Sequence, residues 1–131
     1  MIDHMTFRVA DIVRTRAFYT AALAPLGYRN AYDQVHGGVA VLGFASGEHI
    51  DTWFMDGPSP YGAHPATTSC HMAWKAPSRA AVDAFFAAAI AQGGRDHGAP
   101  GLRPLYHPHY YGAFVIDPDG NNVEAVCHEP V

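Results

Sequence analysis

Positive charge and thiols are scarce in this sequence. Lys75 is its one lysine, its arginines are scattered, and the formal net charge is −4 over 131 residues. No basic patch is available to neutralise phosphates, so a nucleic-acid partner is not expected. The two cysteines, Cys70 and Cys127, are too few for a disulfide framework and neither belongs to a CxxC pair. Both are therefore predicted to be reduced thiols.

Long apolar runs and the common cofactor motifs are absent as well. No stretch approaches the roughly 18 apolar residues of a membrane span, and the N-terminal residues lack the apolar core of a signal peptide. This predicts no membrane partner and a cytoplasmic location. There is no Walker loop, dinucleotide fingerprint, HExxH or GxSxG motif. With 49% hydrophobic and 15% charged residues, the chain is nevertheless expected to fold around a real core.

An internal repeat organises the chain. The sequence HMTFR at residues 4–8 resembles HMAWK at residues 71–75, a separation of 67 positions. The same separation aligns Asp11 with Ser78 and Gly27 with Gly94. A match that stays in register over so many positions indicates a duplicated supersecondary unit whose two copies close one core. We therefore expect a single domain over residues 1–131, built from modules 1–57 and 69–131 and joined by a Pro/Gly-rich linker.

Each half shows the same order of elements. Alternation of apolar and polar residues predicts strands, and 3.6-residue periodicity after a capping residue predicts a helix. The first half is predicted as strand 2–9, helix 12–25 and strands 28–34, 38–44 and 48–55. The second is predicted as strand 70–76, helix 79–92 and strands 95–98, 111–116 and 122–127. The Pro-rich stretch 98–110 is predicted to be a long functional loop.

Apolar stripes on the two helices predict how they pack. The expected core-facing residues are Val13, Ala17, Ala21 and Ala24 on the first helix, and Val82, Phe85, Phe86 and Ala89 on the second. On the strands, the alternation turns His4 and His71 away from the helices. The pattern as a whole is βαβββ twice, an α+β fold.

These features together resemble the vicinal oxygen chelate superfamily, the group of glyoxalases, bleomycin-resistance proteins and extradiol dioxygenases. The resemblance covers the whole chain. Its most specific residues are Ile2-Asp3-His4, Arg16-Ala17-Phe18-Tyr19, His71 and the final Asp117-Pro118-Asp119-Gly120-Asn121-Asn122-Val123-Glu124. It implies that the two modules curve into a mixed-sheet cup around a divalent metal ion. It also implies that His4, His71 and Glu124 are the metal ligands.

The chemistry of these side chains agrees with that implication. Two neutral imidazoles and one carboxylate on rigid strands suit Fe, Mn, Ni, Co or Zn and leave coordination positions open for substrate. Strand parity groups Glu124 with Asn122 and Val126, opposite the apolar Val123 and Ala125. Glu124 is thus predicted to face into the cup, where a carboxylate among apolar groups needs a cation.

Further candidates surround this predicted centre. Glyoxalase-like relatives place a fourth ligand on the last strand of module one, and the nearest residue here is Asp51, which shares its face with Trp53. The segment from His107 to Glu124 is similar to the extradiol signature, but Phe114 stands where that signature has a tyrosine. The candidate roles are acid or base for His107 and Glu124, anion clamp for Arg103, and cup lining for Tyr110, Tyr111 and Trp53. His36, His49, His64, His97 and His128 are interpreted as surface or turn residues.

Three functions are compatible with the sequence. The first is a glyoxalase-like lyase or isomerase acting on a small substrate that chelates the metal through adjacent oxygens. The second is an iron-dependent dioxygenase, which Phe114 weakens. The third is a non-catalytic binder of a drug or other ligand, against which the metal triad counts. Exposed sheet edges predict a homodimer, and the cup is either closed within one chain or shared between two.

Overall fold

A computed structural model describes residues 1–62 and 66–130. It contains two helices and eight strands within that range, in the order that the repeat predicts. The first module holds β1 (Met5–Arg8), α1 (Ile12–Leu23), β2 (Arg29–His36), β3 (Val39–Ala45) and β4 (Ile50–Met55). The second holds β5 (His71–Lys75), α2 (Arg79–Ala91), β6 (Arg95–Leu102), β7 (Tyr111–Ile116) and β8 (Asn122–Cys127). A 3-10 turn, Ala24–Leu26, follows α1.

Each module forms its own four-stranded mixed sheet. The strand orders are β1-β4-β3-β2 and β5-β8-β7-β6, so the two sheets have the same topology. The first strand of each module runs parallel to the last, and the other neighbours are antiparallel. The predicted α+β fold of two tandem βαβββ modules is confirmed. Neither helix in the described part of the chain is long and apolar enough to cross a membrane.

Both helices begin at the capping residues that the sequence predicts. The Asp11 carboxylate accepts hydrogen bonds from the backbone N–H groups of Val13 and Arg14, each at 3.0 Å. The Ser78 hydroxyl accepts from the backbone N–H of Ala81 at 3.1 Å. Each cap satisfies N–H groups that have no partner within the helix.

The two helices pack against each other and against one face of each sheet, around one continuous core. The predicted stripe of α2 is confirmed for Val82, Phe85 and Ala89. The predicted stripe of α1 is wrong, because Val13 is 68% exposed. The residues that α1 buries are Thr15, Phe18, Tyr19, Ala22 and Leu23. The helix is rotated so that two aromatic rings enter the core, which removes more apolar surface from water than one valine and three alanines would.

Strand β6 corrects the prediction for residues 98–110. The strand continues to Leu102 instead of ending at residue 98, so the long loop begins at Arg103. β6 lies at the edge of its sheet, and its pairing with β7 shifts register on both sides of Gly98. An edge position with bulges tolerates Pro100, which cannot donate to a neighbouring strand.

The turn between β7 and β8 connects distant parts of the chain. Buried Asp117 accepts a hydrogen bond of 2.6 Å from the Tyr19 hydroxyl on α1, and another of 2.8 Å from the Asn121 backbone N–H. Asn121, also buried, accepts from the Cys70 backbone N–H and donates to the Thr67 carbonyl oxygen. The Asp117–Asn121 turn, a specific part of the sequence resemblance, thus has a structural role joining α1, the linker and β8.

Candidate functional site

The site is built on the sheet faces that the helices leave open. In β8, Val123, Ala125 and Cys127 enter the core, and Glu124 projects from the opposite face, as strand parity predicts. Glu124 is nevertheless only 1% exposed. A carboxylate removed from water to this degree needs hydrogen-bond donors or a cation to stay ionised.

His71 is the first partner of that carboxylate. The parallel pairing of β5 with β8 sets His71 beside Asn122, and its Nε2 lies 3.1 Å from Glu124 Oε2. Its Nδ1 lies 3.1 Å from the backbone carbonyl oxygen of Asn122. Because a carbonyl oxygen can only accept, the Nδ1 atom carries the hydrogen. In the neutral ring, Nε2 then presents its lone pair to the carboxylate, and a cation between the two atoms relieves the repulsion.

The spacing of these two atoms fits a shared metal ion. Metal bonds of about 2.1 Å at angles of about 90–110° hold two ligand atoms roughly 3.0–3.4 Å apart. The observed 3.1 Å between His71 Nε2 and Glu124 Oε2 lies in this range. The hydrogen bond from Nδ1 to a backbone carbonyl is also typical of histidine ligands, because it fixes the tautomer and the ring orientation.

Tyr110 holds the other carboxylate oxygen. Its hydroxyl donates to Glu124 Oε1 at 2.5 Å. Burial, followed by this hydrogen bond, raises the pKa of Tyr110 well above its usual value, so the phenol remains a donor. Gly112 makes room for the pair, since a Cβ there would lie 3.0 Å from Glu124 Oε1 and 3.1 Å from the Tyr110 ring. The carboxylate therefore has one oxygen fixed and one free to face His71.

His4 is not brought to this pair within one chain. It lies on the open face of the first sheet, its side chain is 55% exposed, and its Nδ1 is 2.7 Å from Asp3 Oδ1. Among the residues that the structure describes, no group of three or more His, Cys, Asp or Glu side chains is placed to hold a metal ion. A single chain thus assembles His71 with Glu124 and leaves the third predicted ligand apart.

The register of the two sheets identifies which residues of module one correspond to the site. In module two, one row across the sheet reads Ala73, Glu124, Phe114 and Gly98. In module one, the corresponding row reads Thr6, Trp53, Gly43 and Tyr32. Trp53 therefore occupies the position equivalent to Glu124. Asp51 lies two residues earlier, equivalent to Asn122.

Asp51 is occupied by other partners. It accepts hydrogen bonds from the Tyr28 hydroxyl at 2.8 Å and from the Thr52 hydroxyl at 2.7 Å. Burial, and then the hydrogen bond to Asp51, raises the pKa of Tyr28 to about 12, so this phenol stays protonated. With both carboxylate oxygens accepting and the wrong register position, Asp51 is not suited to be a fourth ligand.

Trp53 forms an aromatic wall on the open face of the first sheet. It is half-buried, and the Tyr32 ring meets it edge to face at 5.4 Å. A Cβ on Gly43 would come within 2.9 Å of the indole, so glycine is what lets the ring lie flat across β3. This placement is compatible with the predicted contact between Trp53 and a substrate.

Arg103 lies on the open face of the second sheet. Its guanidinium lies over the Phe114 ring, 5.5 Å from the centroid, and the His71 ring stacks with the same Phe114 ring at a centroid distance of 6.3 Å. The predicted anion clamp and the predicted ligand His71 thus share one aromatic neighbour. Phe114 occupies the tyrosine position of the extradiol signature and offers no hydroxyl there.

Two of the sequence-based candidates lie elsewhere. Tyr111 is on the helix-facing side, where its hydroxyl donates to Asp83 at 2.8 Å and Arg79 lies over its ring, so the expectation that it lines the cup is wrong. Strand parity explains the difference, because Tyr110 shares its face with Gly112 and Phe114 and Tyr111 does not. Strand parity was the signal that could have separated Tyr110 from Tyr111 in the sequence.

His107 makes its polar contacts away from the carboxylate. Its Nδ1 accepts from the His109 backbone N–H, so its Nε2 carries the hydrogen and donates to His128 Nδ1 at 2.8 Å. Its ring meets Tyr110 edge to face at 5.4 Å, which is its nearest approach to the site among the described contacts.

The other histidines interpreted as surface residues are exposed where the structure describes them. His128, the partner of His107, is exposed, as are His36, His49 and His97. His64 lies outside the described residues.

A family model described as Glyoxalase/Bleomycin resistance protein/Dioxygenase superfamily matches residues 1–125. No curated protein sequence matches the chain.

Several solved structures share the fold. A glyoxalase/bleomycin resistance protein from Albidiferax ferrireducens T118 is 29% identical, with 98% of each chain covered and a TM-score of 0.71. A mutant of the fosfomycin resistance protein FosX from Listeria monocytogenes, solved with Mn(II) and 1S,2S-dihydroxypropylphosphonic acid, is 19% identical. The match covers 96% of this chain and 88% of that chain, with a TM-score of 0.64. TnmS3, an antibiotic binding protein from Streptomyces sp. CB03234, is 21% identical, with 98% and 96% covered and a TM-score of 0.65. The last two are similar in fold alone.

Proposed function

The chain belongs to the glyoxalase, bleomycin resistance protein and dioxygenase superfamily, and from this premise we propose that it is a metal-dependent enzyme. Its reaction is of the lyase or isomerase type, on a small substrate that offers two adjacent oxygens. The proposed ligands are His71 and Glu124 of one chain and His4 of a second copy. The ion is divalent and drawn from Fe, Mn, Ni, Co and Zn.

One observation carries this proposal: a fully buried carboxylate faces an imidazole nitrogen whose hydrogen is committed to the other side of the ring. Glu124 is 1% exposed, and the nitrogen 3.1 Å away can be neutral only with its lone pair toward Glu124. Without a metal ion, a proton must lie between the two atoms, either on the ring nitrogen or on the carboxyl. With a metal ion, both atoms are ligands at the distance that a shared ion requires.

Each residue around the proposed ion has a separate role in the reaction. The ion, when bound, polarises the substrate oxygens. His71 and Glu124 hold it, and Tyr110 fixes the Glu124 carboxylate through Oε1. Glu124 is also the proposed proton-transfer group, since it is the acid or base beside the ion, whereas the contacts of His107 go to His128 and His109.

A homodimer completes the site in this proposal. His4 stands on the open face of one module and the His71–Glu124 pair on the open face of the other, and no three-ligand group forms among the described residues of one chain. The proposed dimer joins the first module of each copy to the second module of the other. This makes two equivalent cups, each with Trp53 from one chain and Arg103 from its partner chain.

A calorimetric metal titration of chelator-treated protein tests the proposal. Glu124→Gln keeps the shape of the side chain and removes its charge, so affinity for Zn²⁺, Ni²⁺, Co²⁺ and Mn²⁺ should fall by at least about tenfold. Turnover should be lost as well. Glu129→Gln, at an exposed position close in sequence, is the matched control and should bind metal like the parent.

If the Glu124→Gln substitution leaves metal binding unchanged, the results favour a non-catalytic ligand-binding protein. If Glu124→Gln binds metal as the parent does, or neither binds it, the His71–Glu124 pair is not a metal site and the chain is a ligand-binding protein with no metal centre at this pair. Such a protein would bind its organic ligand with the same affinity in the parent and in Glu124→Gln.

A further inference from the structure

A small cleft adjoins the His71–Glu124 pair on the open face of the second sheet. Its volume is about 280 Å³, and the residues that line it are His97, Gly98, Arg103, Tyr106, Phe114 and Asn122. At about 30 Å³ per water molecule, this is the space of roughly nine waters. The cleft thus has room for a charged group on a short carbon stem.

Arg103 supplies a fixed positive charge to this cleft. Its Nη2 donates to the Ala99 carbonyl oxygen at 2.6 Å and its Nη1 to the Leu102 carbonyl oxygen at 3.3 Å. Within residues 1–62 and 66–130, no acidic side chain lies within ion-pair distance of it. A guanidinium has five N–H donors, so three remain for a ligand while two hold the group in place.

Two glycines of β6 make the space that the guanidinium occupies. A Cβ at Gly101 would lie 2.9 Å from Arg103 Nη1, and one at Gly98 would lie 3.4 Å from Nη2 and 2.9 Å from the Phe114 ring. Side chains at either position would displace the arginine from the ring. The β6 backbone is therefore shaped to seat this cation against the sheet.

Asn122 adds an acceptor without a partner. Its side-chain Oδ1 is buried and, in the described part of the chain, receives no hydrogen bond. A buried acceptor left in this state is costly and is normally satisfied by a ligand or a water. Asn122 also lines the cleft, and its backbone carbonyl accepts from His71 Nδ1, so this one residue contacts both the cleft and the ligand pair.

We propose that this cleft is an anion subsite that selects small hydroxy acids. Arg103 binds a carboxylate or phosphonate, and Asn122 Oδ1 accepts a hydrogen bond from a hydroxyl on the neighbouring carbon. This rests on the proposed function only in identifying the ligand as its substrate, whose adjacent oxygens then lie beside His71 and Glu124. Neutral compounds of the same size leave the guanidinium unpaired and are rejected.

Titrations followed by ¹⁵N–¹H NMR on metal-free protein test the subsite apart from the metal. The probes are glycolate, hydroxymethylphosphonate, acetate and the neutral amide glycolamide, all at constant ionic strength. The parent should bind both hydroxylated anions, with shifts at Gly98 and Phe114, and should not bind glycolamide. Comparing glycolate with hydroxymethylphosphonate identifies which anion the subsite prefers.

Substitutions then separate the two interactions. Arg103→Met should weaken glycolate and acetate alike by at least about tenfold, and Arg103→Lys should recover part of the loss. Asn122→Ala should abolish the preference for glycolate over acetate. Arg29→Met, an exposed arginine of the other module, is the control and should change neither.

The inference is overturned if glycolamide competes with glycolate, or if Arg103→Met binds glycolate like the parent. A glycolate preference that survives in Asn122→Ala overturns the hydroxyl contact. Because no metal is present, these failures leave the metal proposal standing. Conversely, equal metal affinity of parent and Glu124→Gln would leave an anion-binding protein with no metal centre at the His71–Glu124 pair.

Discussion

Tyr110 determines how the Glu124 carboxylate is presented. Its hydroxyl occupies Oε1, and Oε2 is left facing the His71 imidazole. A carboxylate held at one oxygen keeps its orientation when a cation binds the other, which lowers the cost of forming the site. If Glu124 is the proposed metal ligand, this contact is an outer interaction that tunes it without touching the metal.

Tyr110→Phe should therefore weaken divalent metal binding by about tenfold, because the carboxylate loses its fixed orientation and one buried acceptor loses its donor. Tyr111→Phe is a matched control on the opposite face, where the hydroxyl contacts Asp83 on α2. Calorimetric titration with Zn²⁺ gives both affinities. A Tyr110→Phe variant that binds Zn²⁺ like Tyr111→Phe would show that the phenol plays no part in the site.

At the scale of elements, the contact between α1 and the β7–β8 turn depends on one buried hydrogen bond. Tyr19 donates to Asp117 across a separation of 98 residues, and burial is the main reason that the pKa of Tyr19 is raised well above its usual value. Because the phenol stays protonated, it remains a donor to the carboxylate throughout the neutral range.

Tyr19→Phe should lower the free energy of unfolding by about 1–3 kcal/mol, since Asp117 loses a donor that water cannot replace. Tyr32→Phe removes a hydroxyl near the sheet edge, where His36 is exposed, and should change stability by less than about 0.5 kcal/mol. Urea denaturation of the two variants checks the comparison. Equal losses would mean that the α1–turn contact is not a stabilising connection.

Most elements could be predicted because the duplication supplied each pattern twice. The two capping residues predicted where the helices begin, and strand parity predicted that Glu124 and His71 face away from the helices. The prediction of the buried face of α1 was wrong because more than one face of the helix carries apolar residues. Only the packed core shows that Phe18 and Tyr19 are buried and Val13 is exposed. The predicted length of β6 was too short because proline is typical of loops, whereas an edge strand such as β6 tolerates Pro100.

At the scale of the whole molecule, the alternation of side chains along a strand predicts which face of the sheet each one takes, but it does not predict how far apart the two modules lie. His4 and His71 share a repeat position, and nothing in the sequence decides whether they meet within a chain. Spatial relations between separate sheets follow from packing of the helices and the linker, which is a property of the folded molecule. The separation of His4 from the His71–Glu124 pair is thus a result that only the structure supplies.

Mixing two inactive variants tests the shared cup. His4→Ala and Glu124→Gln should each lose metal binding as homodimers. In a mixed dimer, one cup carries both substitutions and the other carries neither, so about one metal site per mixed dimer should return. Metal content after refolding the mixture, with sedimentation to establish the dimer, gives the result. No recovery in a proven mixed dimer would mean that each cup closes within its own chain.

The sheet row that aligns Trp53 with Glu124 has a spectroscopic consequence. The chain holds two tryptophans, and Trp74 is 6% exposed in the core, whereas Trp53 stands half-buried on the open face. Their fluorescence should differ accordingly, with a blue-shifted, constant emission from Trp74 and a red-shifted emission from Trp53 that responds to whatever lies above it. Subtracting the spectrum of Trp53→Phe isolates that second signal. Under the proposed function, Trp53 emission should therefore report occupancy of the cup without a label and without knowledge of the reaction.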